Sequence, residues 1–420
     1  MEPLMPRRGF LKATTLAGAA WLTPISEMLA RRADADQPES AQSIILLWLA
    51  GGPSQLETFD PHPGTSIGGD TRAINTNVRG IQIADGYPLL AEQMDSLAIL
   101  RSVVSREGDH ERGTYTIKTG YRPDPTVVHP SIGAICAHEL GVGRTEIPRH
   151  ISILPHQWPS RGGFLGDQFD AFRTGDPLHR VPDVTSRVGS ERDTQRGRDL
   201  NVVEQAFSQR RRVRTEATVH QATMNRARAM MSSEQLQAFD VSRESGRLRS
   251  AYGDTPFGRG CLAARRLIEV GVRCVEVTLA GWDTHASNHE GHRTQAAILD
   301  PAFSALIRDL KDRNLLRRTV VICAGEFGRT PNINRLEGRD HWPNGFSVVL
   351  AGGGLRGGVT LGSTDPEGRH DPQNPISIGD IHATVLNALG IDTTRVLNTP
   401  IGRTYRFAEG ISIPQLVLKR

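Results

Sequence analysis

The sequence predicts an α/β fold, one large domain on a mostly parallel sheet with helices on both faces and a helical insertion near 183–253. Three observations predict it. Short apolar runs alternate with segments of helical periodicity over most of the chain. Several runs are apolar at every position, as strands covered on both faces are. Two of them stop at a glycine followed by acids and histidines. In open α/β sheets that edge, beyond the strands' carboxyl ends, is where ligands bind.

Ser43–Ala50 (SIILLWLA) reads as a central strand, broken by Gly51-Gly52-Pro53-Ser54. Leu89–Ser96 is a short helix and Leu97–Val104 a second strand. Ser131 sits at an N-cap position, and the helix runs to Leu140. Ile151–Leu154 is a short strand. Phe257–Val270 is a helix leading into the strand Arg273–Ala280. Thr294–Leu310 is a helix, Thr319–Ala324 a strand, and Phe346–Ala351 another strand, ending in Gly352-Gly353-Gly354. Ile378–Leu389 is an amphipathic helix. Residues 183–253 are rich in Arg, Gln, Glu and Ser. They read as a solvated helical insertion or cap, with a basic docking surface around Arg210-Arg211-Arg212 as the alternative.

The chain has 420 residues, 38% hydrophobic and 23% charged, a globular composition. Only 5% are aromatic, which argues against stacking platforms for nucleic acid. The formal charge is +4, and residues 1–35 carry part of it through Arg7, Arg8, Lys12, Arg31 and Arg32 against Glu2, Glu27 and Asp34. The rest is too near neutral to pull toward DNA or acidic lipid. Cys136, Cys261, Cys274 and Cys323 lie in apolar runs without a Cys-x-x-Cys spacing, and read as buried thiols.

Arg7-Arg8-Gly9-Phe10-Leu11-Lys12 is a twin-arginine signature, and the weakly apolar Ala13–Leu22 follows it. That stretch is too short for a stable membrane span. Ala33-Asp34-Ala35 fits a cleavage site, so residues 1–35 read as a signal peptide and 40–420 as the folded domain. The expected partner is the twin-arginine export machinery, and the expected location periplasmic or extracellular.

Four clusters carry chemistry. Gly281-Trp282-Asp283-Thr284-His285 follows one strand and Gly325-Glu326-Phe327-Gly328-Arg329 another, with His341 on the next loop. Asp283, His285, Glu326 and His341 form a candidate metal site. Mixed imidazole and carboxylate donors suit Zn, Mn or Fe better than Ca. The structural alternative is a strand-end salt bridge between Glu326 and Arg329, with His341 capping a turn. His289 and His292 read as surface histidines, with spare metal ligands as the alternative. The third cluster, Asp109-His110-Glu111-Arg112, lies between a strand and a helix start, where a nucleophile or anion site would be placed. The fourth is Gln55 to His62, including Asp60.

Together these landmarks resemble the sulfatase and alkaline-phosphatase superfamily, and more closely its twin-arginine-exported family known as domain of unknown function 1501, over roughly residues 40–400. Thr319-Val-Val-Ile-Cys-Ala-Gly-Glu-Phe-Gly328 resembles the sulfatase strand ending in Ser-Asp-Asn/His-Gly. Ile376 to Ile391 resembles the late Ser-x-x-Asp-Ile helix, and His110 to Gly120 the nucleophile segment. Asp283 and His285 resemble the phosphatases' Asp/His metal loop, and His341 their late His. The resemblance implies an alkaline-phosphatase-like fold and a divalent metal, Zn or Mn. It implies hydrolysis of a phosphate or sulfate ester, the substrate being a small anionic ester or a sulfated or phosphorylated glycan. Metal ligands would be Asp283, His285, Glu326 and His341, with Gln55, Asp60 or His62 in place of the lost first-strand acids, Asp60 being taken as the candidate. His110 would be nucleophile, general base or further ligand, and Arg112 and Arg329 would grip the anion. The chain departs from the pattern at Gly51 and Gly52, where sulfatases carry two acids. It departs also at His110, Thr114 and Phe327, which stand in place of the nucleophile, its supporting Arg and an Asn/His ligand. A non-catalytic binding or structural protein on that scaffold is the other reading.

Overall fold

Among the described residues nine strands form the main sheet, and all but one run parallel. In chain order they are β1 (Ser43–Ala50), β2 (Leu97–Val104), β3 (His150–Ile153), β4 (Phe172–Thr174), β5 (Cys274–Ala280), β6 (Thr319–Ala324), β7 (Phe346–Gly352), β8 (Val359–Leu361) and β9 (Ile376–Ser377). Across the sheet the order is β8-β2-β7-β6-β1-β5-β3-β4, with β9 also on β2. The exception is β7, antiparallel to both β2 and β6. The computed structural model describes residues 40–141, 143, 145–211 and 219–417. The twin-arginine segment and Arg212 lie outside the described residues.

Strand β1 is buried along its whole length. Its alternate side chains feed two cores. Ile45, Leu47 and Leu49 pack on one face with Val275, Val277, Leu262, Phe303 and Leu306. Ile44, Leu46 and Trp48 pack on the other with Ile322, Ile135, Ile381 and Leu386. A continuous apolar run thus reads correctly as a strand with helices on both sides. The helices that position the site are α1 (His110–Thr119), α2 (Ile132–Glu139), α3 (Pro256–Glu269), α4 (Asn288–Asp312) and α5 (Ile378–Ala388). Their starts are capped locally. Asp109 accepts from the Arg112 amide, Ser131 from Ala134 and Thr255 from Gly258, and Ser377 with Asp380 forms a capping box.

Within 183–253 the described elements are the helices Ser190–Arg211, Val219–Ser232 and Gly246–Tyr252 with short 3-10 turns between them. Glu244 ties this segment to α3 through Arg265 (2.8 Å) and Arg266 (2.5 Å). Among the described residues, no helix is long and apolar enough to cross a membrane. All four cysteines are buried free thiols.

Register aligns the strand ends that matter. Ala50 lies beside Ala280, and Trp48 beside Ala324. The segments following β1, β2, β5 and β6 therefore emerge at one edge. The reversed β7 starts at that same edge, with Phe346 opposite Val103. This is why His341, just before β7, arrives beside residues that follow parallel strands. A two-stranded ribbon pairs it with Arg329.

Candidate functional site

Three imidazoles converge on one carboxylate. His285 Nε2 lies 3.1 Å and His341 Nε2 3.2 Å from Asp283 Oδ1, and the two nitrogens are 3.0 Å apart. His110 Nε2 is 3.3 Å from Asp283 Oδ2. The ligating atoms of His110, Asp283 and His341 all lie within 4.8 Å of one another. Each ring is oriented from behind by an acceptor. His110 Nδ1 donates to Glu326 Oε1 (2.7 Å), His285 Nδ1 to Asp340 Oδ1 (2.8 Å) and His341 Nδ1 to the Gly108 carbonyl (2.9 Å). These bonds place the Nδ1 protons and aim all three Nε2 atoms at Asp283.

Two neutral imidazoles so oriented would face each other and an anionic oxygen with lone pairs only. The arrangement demands a proton or a cation between them. Donor–donor edges of 3.0–3.2 Å are close to the roughly 3.3 Å expected of tetrahedral ligands held about 2.0–2.1 Å from one ion. Imidazole and carboxylate donors with carboxylate or carbonyl partners behind them are a fitting set for Zn or Mn.

The charges around the ring differ in kind. Burial raises the carboxyl of Asp283, but the Arg329 hydrogen bond and charge outweigh it and hold the group down at about 2. Burial lowers His341, keeping it neutral. His110 is raised, chiefly by its hydrogen bond to Glu326, against the opposing effect of burial. Glu326 Oε1 also accepts from the Gly51 amide (2.9 Å), and its Oε2 is buried without a hydrogen-bond partner.

Arg329 is fully buried, and its donors are committed to the protein. Nη2 holds Asp283 Oδ1 (2.6 Å) and the carbonyls of Trp282 and Gly51, Nε holds Gly52 O (2.8 Å), and Nη1 holds Arg339 O (3.0 Å). It fixes Asp283 and reaches no solvent, so it cannot grip an anion as the sequence suggested. Gly51 explains why no acid stands at the end of β1. Its φ is +119°, and a Cβ there would lie 2.5 Å from the Asp283 amide nitrogen. The loop carrying Asp283 rests directly on that bare backbone.

The structure brings His110, Asp283, His285 and His341 into one cluster, with Glu326 behind His110. It puts the other candidates elsewhere. Asp60 is buried in its own network, accepting from Thr364 N (3.0 Å) and Oγ1 (2.7 Å) and pairing with Arg101 (3.3 Å). Its oxygens are taken up there because the chain turns away after Gly52. Arg112 pairs with Glu107 (2.7 Å) on the exposed side of α1. Glu326 and Arg329 form no mutual salt bridge among the described residues. His292 is not on the surface. It is buried in α4, where Nε2 accepts from Ser54 N (2.8 Å) and Nδ1 donates to Asn288 O (3.0 Å). Sequence reasoning missed Asp340, the partner of His285, and the loop after β3. There Trp158 lies near-parallel to His110 (14°, centroids 6.4 Å) with His156 beside it. The strand-end rule, applied to the Ile151–Leu154 run, is the signal that would have found that loop.

Solved structures similar to this chain include the alkaline phosphatase from the Antarctic bacterium TAB5, at 12% identity, TM-score 0.38, covering 84% of this chain and 99% of that one. PsFucS1 sulfatase from Pseudoalteromonas sp. is similar at 12% identity and TM-score 0.41, covering 87% and 70%. The lipoteichoic acid synthase LtaP from Listeria monocytogenes is similar at 11% and 0.35, covering 85% and 73%. No curated protein matches in sequence. The family model described as "Protein of unknown function (DUF1501)" matches residues 41–417. With nearly the whole folded domain inside that match, this chain belongs to the DUF1501 family.

Proposed function

We propose that this protein is a metal-dependent hydrolase of phosphate or sulfate esters, exported through its Arg7-Arg8 signal and working in the periplasm or outside the cell. The observation that carries the reading is the convergence of the His110, His285 and His341 Nε2 atoms on Asp283, each ring locked through Nδ1. The ester class rests on the motif resemblance of residues 40–400.

Asp283, His285 and His341 are the residues to hold one divalent ion. Such an ion supplies Lewis-acid chemistry, polarising the ester and balancing charge on the transferred group. Arg329 keeps Asp283 ionised and immobile. His110 does the proton work. Glu326 raises its affinity for a proton, and the ring sits at the first residue of α1, facing the cluster. As water forms the new bond to phosphorus or sulfur and the ester bond breaks, a proton held on Nε2 can pass to the departing alcohol oxygen. His341 stays neutral because burial disfavours its charged form, which suits a ligand rather than an acid.

A second reading, a non-catalytic binding protein, draws on a specific observation. Among the described residues, no Ser, Thr or Cys side chain is hydrogen-bonded to His110, Asp283, His285, Glu326 or His341, so no hydroxyl or thiol nucleophile is in place. One experiment separates the two. Protein exported in its native host is analysed for bound elements and assayed on phosphate and sulfate esters, before and after chelation. One Zn or Mn per chain, with hydrolysis lost on chelation and restored by the ion, is the expected result. A chain that binds an ion yet hydrolyses neither ester class would sink the enzyme reading.

A further inference from the structure

We propose that the loop after β3, residues 154–160, receives the alcohol part of the substrate, with Trp158 and His156 taking a ring-bearing group, a pyranose or an aryl ring. This rests on the ester-hydrolase reading of the adjacent cluster. Strand β3 runs parallel beside β5, with Ile153 level with Val277, so its following loop rises at the edge that carries Asp283. Trp158 turns its indole near-parallel to the His110 ring at 14°, with centroids 6.4 Å apart. The His156 ring is 5.8 Å from that indole. Both side chains are only half-buried. Beside the cluster, these half-buried rings offer apolar surface to an alcohol whose oxygen faces His110. Flat rings and C–H faces bind on aromatic faces, and a small number of polar groups orient them.

The loop is built to stay in place. Leu154 holds a left-handed backbone at φ +54°, uncommon for a side chain of that size. Strain of this kind persists only where surrounding structure imposes it, and it concentrates at functional sites. Pro155 and Pro159 restrict the backbone on either side of Trp158. The anchor is a buried ion pair. Lys118 Nζ on α1 donates to the Trp158 carbonyl (3.1 Å) and to Glu276 Oε1 on β5 (2.9 Å), while Ser160 Oγ donates to Glu276 Oε2 (2.6 Å). Lys118 is 4% and Glu276 1% exposed. Burying a charged pair is costly unless every donor and acceptor is used. Here the pair holds the C-terminal end of the segment, at Trp158 and Ser160, and it ties that end to the same helix that presents His110. The wall is therefore rigid before any ligand arrives, which lowers the cost of binding.

The test is binding first and turnover second. Methyl glucopyranoside and phenol are titrated into the whole exported protein, with binding read by ligand-detected NMR. Wild type binds at least one of them, Trp158→Ala weakens that binding about tenfold, roughly 1.4 kcal/mol, and Trp158→Phe restores most of it. Which ring binds tells sugar from aryl. In turnover, the kcat/KM ratio of the ring ester over the methyl ester falls about tenfold in Trp158→Ala through KM, and Phe recovers it. Wild type that binds neither ring, or Trp158→Ala that binds as wild type does, overturns the proposal. Ring binding that depends on Trp158 in a protein without hydrolysis would refute the enzyme reading and leave the loop's assignment standing.

Discussion

Replacing Asp283 by Asn tests the cluster as an ion site without relying on turnover. Asn keeps the carbonyl oxygen that accepts from buried Arg329 but removes the negative charge around which His285 and His341 gather. An ion bound only to the folded protein stabilises it by about 2.7 kcal/mol when present at a hundred times its Kd. The folded unit spans residues 40–418. At about 2.1 cal/mol/K per residue, its unfolding entropy is about 0.8 kcal/mol/K, so that stabilisation raises Tm by roughly 3 °C. Loss of an outer-shell partner already costs about 10–100-fold in metal affinity, so loss of a ligand charge costs at least about 100-fold. At the same zinc concentration the variant then gains only about 0.4 kcal/mol, roughly half a degree. The assay is thermal unfolding by circular dichroism, with zinc affinities from calorimetry. A wild-type Tm indifferent to saturating zinc and manganese, or a variant that keeps the full shift, refutes the reasoning.

Three further outcomes follow from the same geometry. Gly51→Ala forces a side chain into positive φ and against the Asp283 amide, so a loss of about 2–4 kcal/mol is expected in urea unfolding; a loss under about 0.5 kcal/mol would mean the loop does not rest there. Burial draws both His292 and His382 down to about 4 from 6.5, against the Glu57 charge and the Asn288 carbonyl at His292 and the Ile117 carbonyl at His382. Their folded pKa is depressed, so an unfolded chain takes up protons first. The associated stability is complete above about pH 6.5 and is lost as pH falls toward 4, and His382→Gln should remove roughly 3 kcal/mol of that loss. An unaltered pH–stability slope in the variant would contradict this. Arg329→Gln, compared at equal folded fraction with Arg329→Lys, should bind zinc about tenfold tighter and inorganic phosphate more weakly; a change of the same sign for both ligands would show that the guanidinium does not compete with the ion for Asp283.

Most of the sheet was legible because its central strands are covered on both faces, and a run such as Ser43–Ala50 is then apolar throughout. The reversed direction of β7 was not legible, since Phe346–Ala351 has the composition of its parallel neighbours and direction is settled by connection. Helix α4 begins at Asn288, six residues before the Thr294 expected from the pattern. Ser287 precedes it in a left-handed conformation and makes no side-chain cap, so the usual start signal is lacking. The polar residues at the ends of β5 and β6 identified Asp283, His285 and Glu326, because the edge of a sheet is set by where apolar runs stop. The inward course of Arg329 was hidden. Apart from Asp283, its acceptors are carbonyls of Gly51, Gly52, Trp282 and Arg339, and backbone carbonyls carry no sequence signature. Asp60 illustrates the converse. Its residue type and proximity to β1 suit a ligand, but the turn after Gly52 delivers it to Thr364 and Arg101.

The two departures at the end of β1 and the burial of Arg329 are one arrangement. With bare glycine at 51, the loop bearing Asp283 closes onto the β1 terminus, and the Gly51 and Gly52 carbonyls become acceptors for the guanidinium. That guanidinium, itself buried, offsets the charge of the half-exposed Asp283 at 2.6 Å. The ligand nitrogens facing Asp283, those of His285 and His341, belong to imidazoles, neutral when they bind an ion. A divalent ion held there would keep much of its positive charge for whatever approaches from solvent, where a site with several uncompensated carboxylates would cancel it. With glycines at 51 and 52 and a buried arginine against Asp283, the cluster would offer an ion little ligand charge and so leave more attraction for an anion. On the proposed reading, the ion-loaded cluster would match an anionic group better than a neutral one.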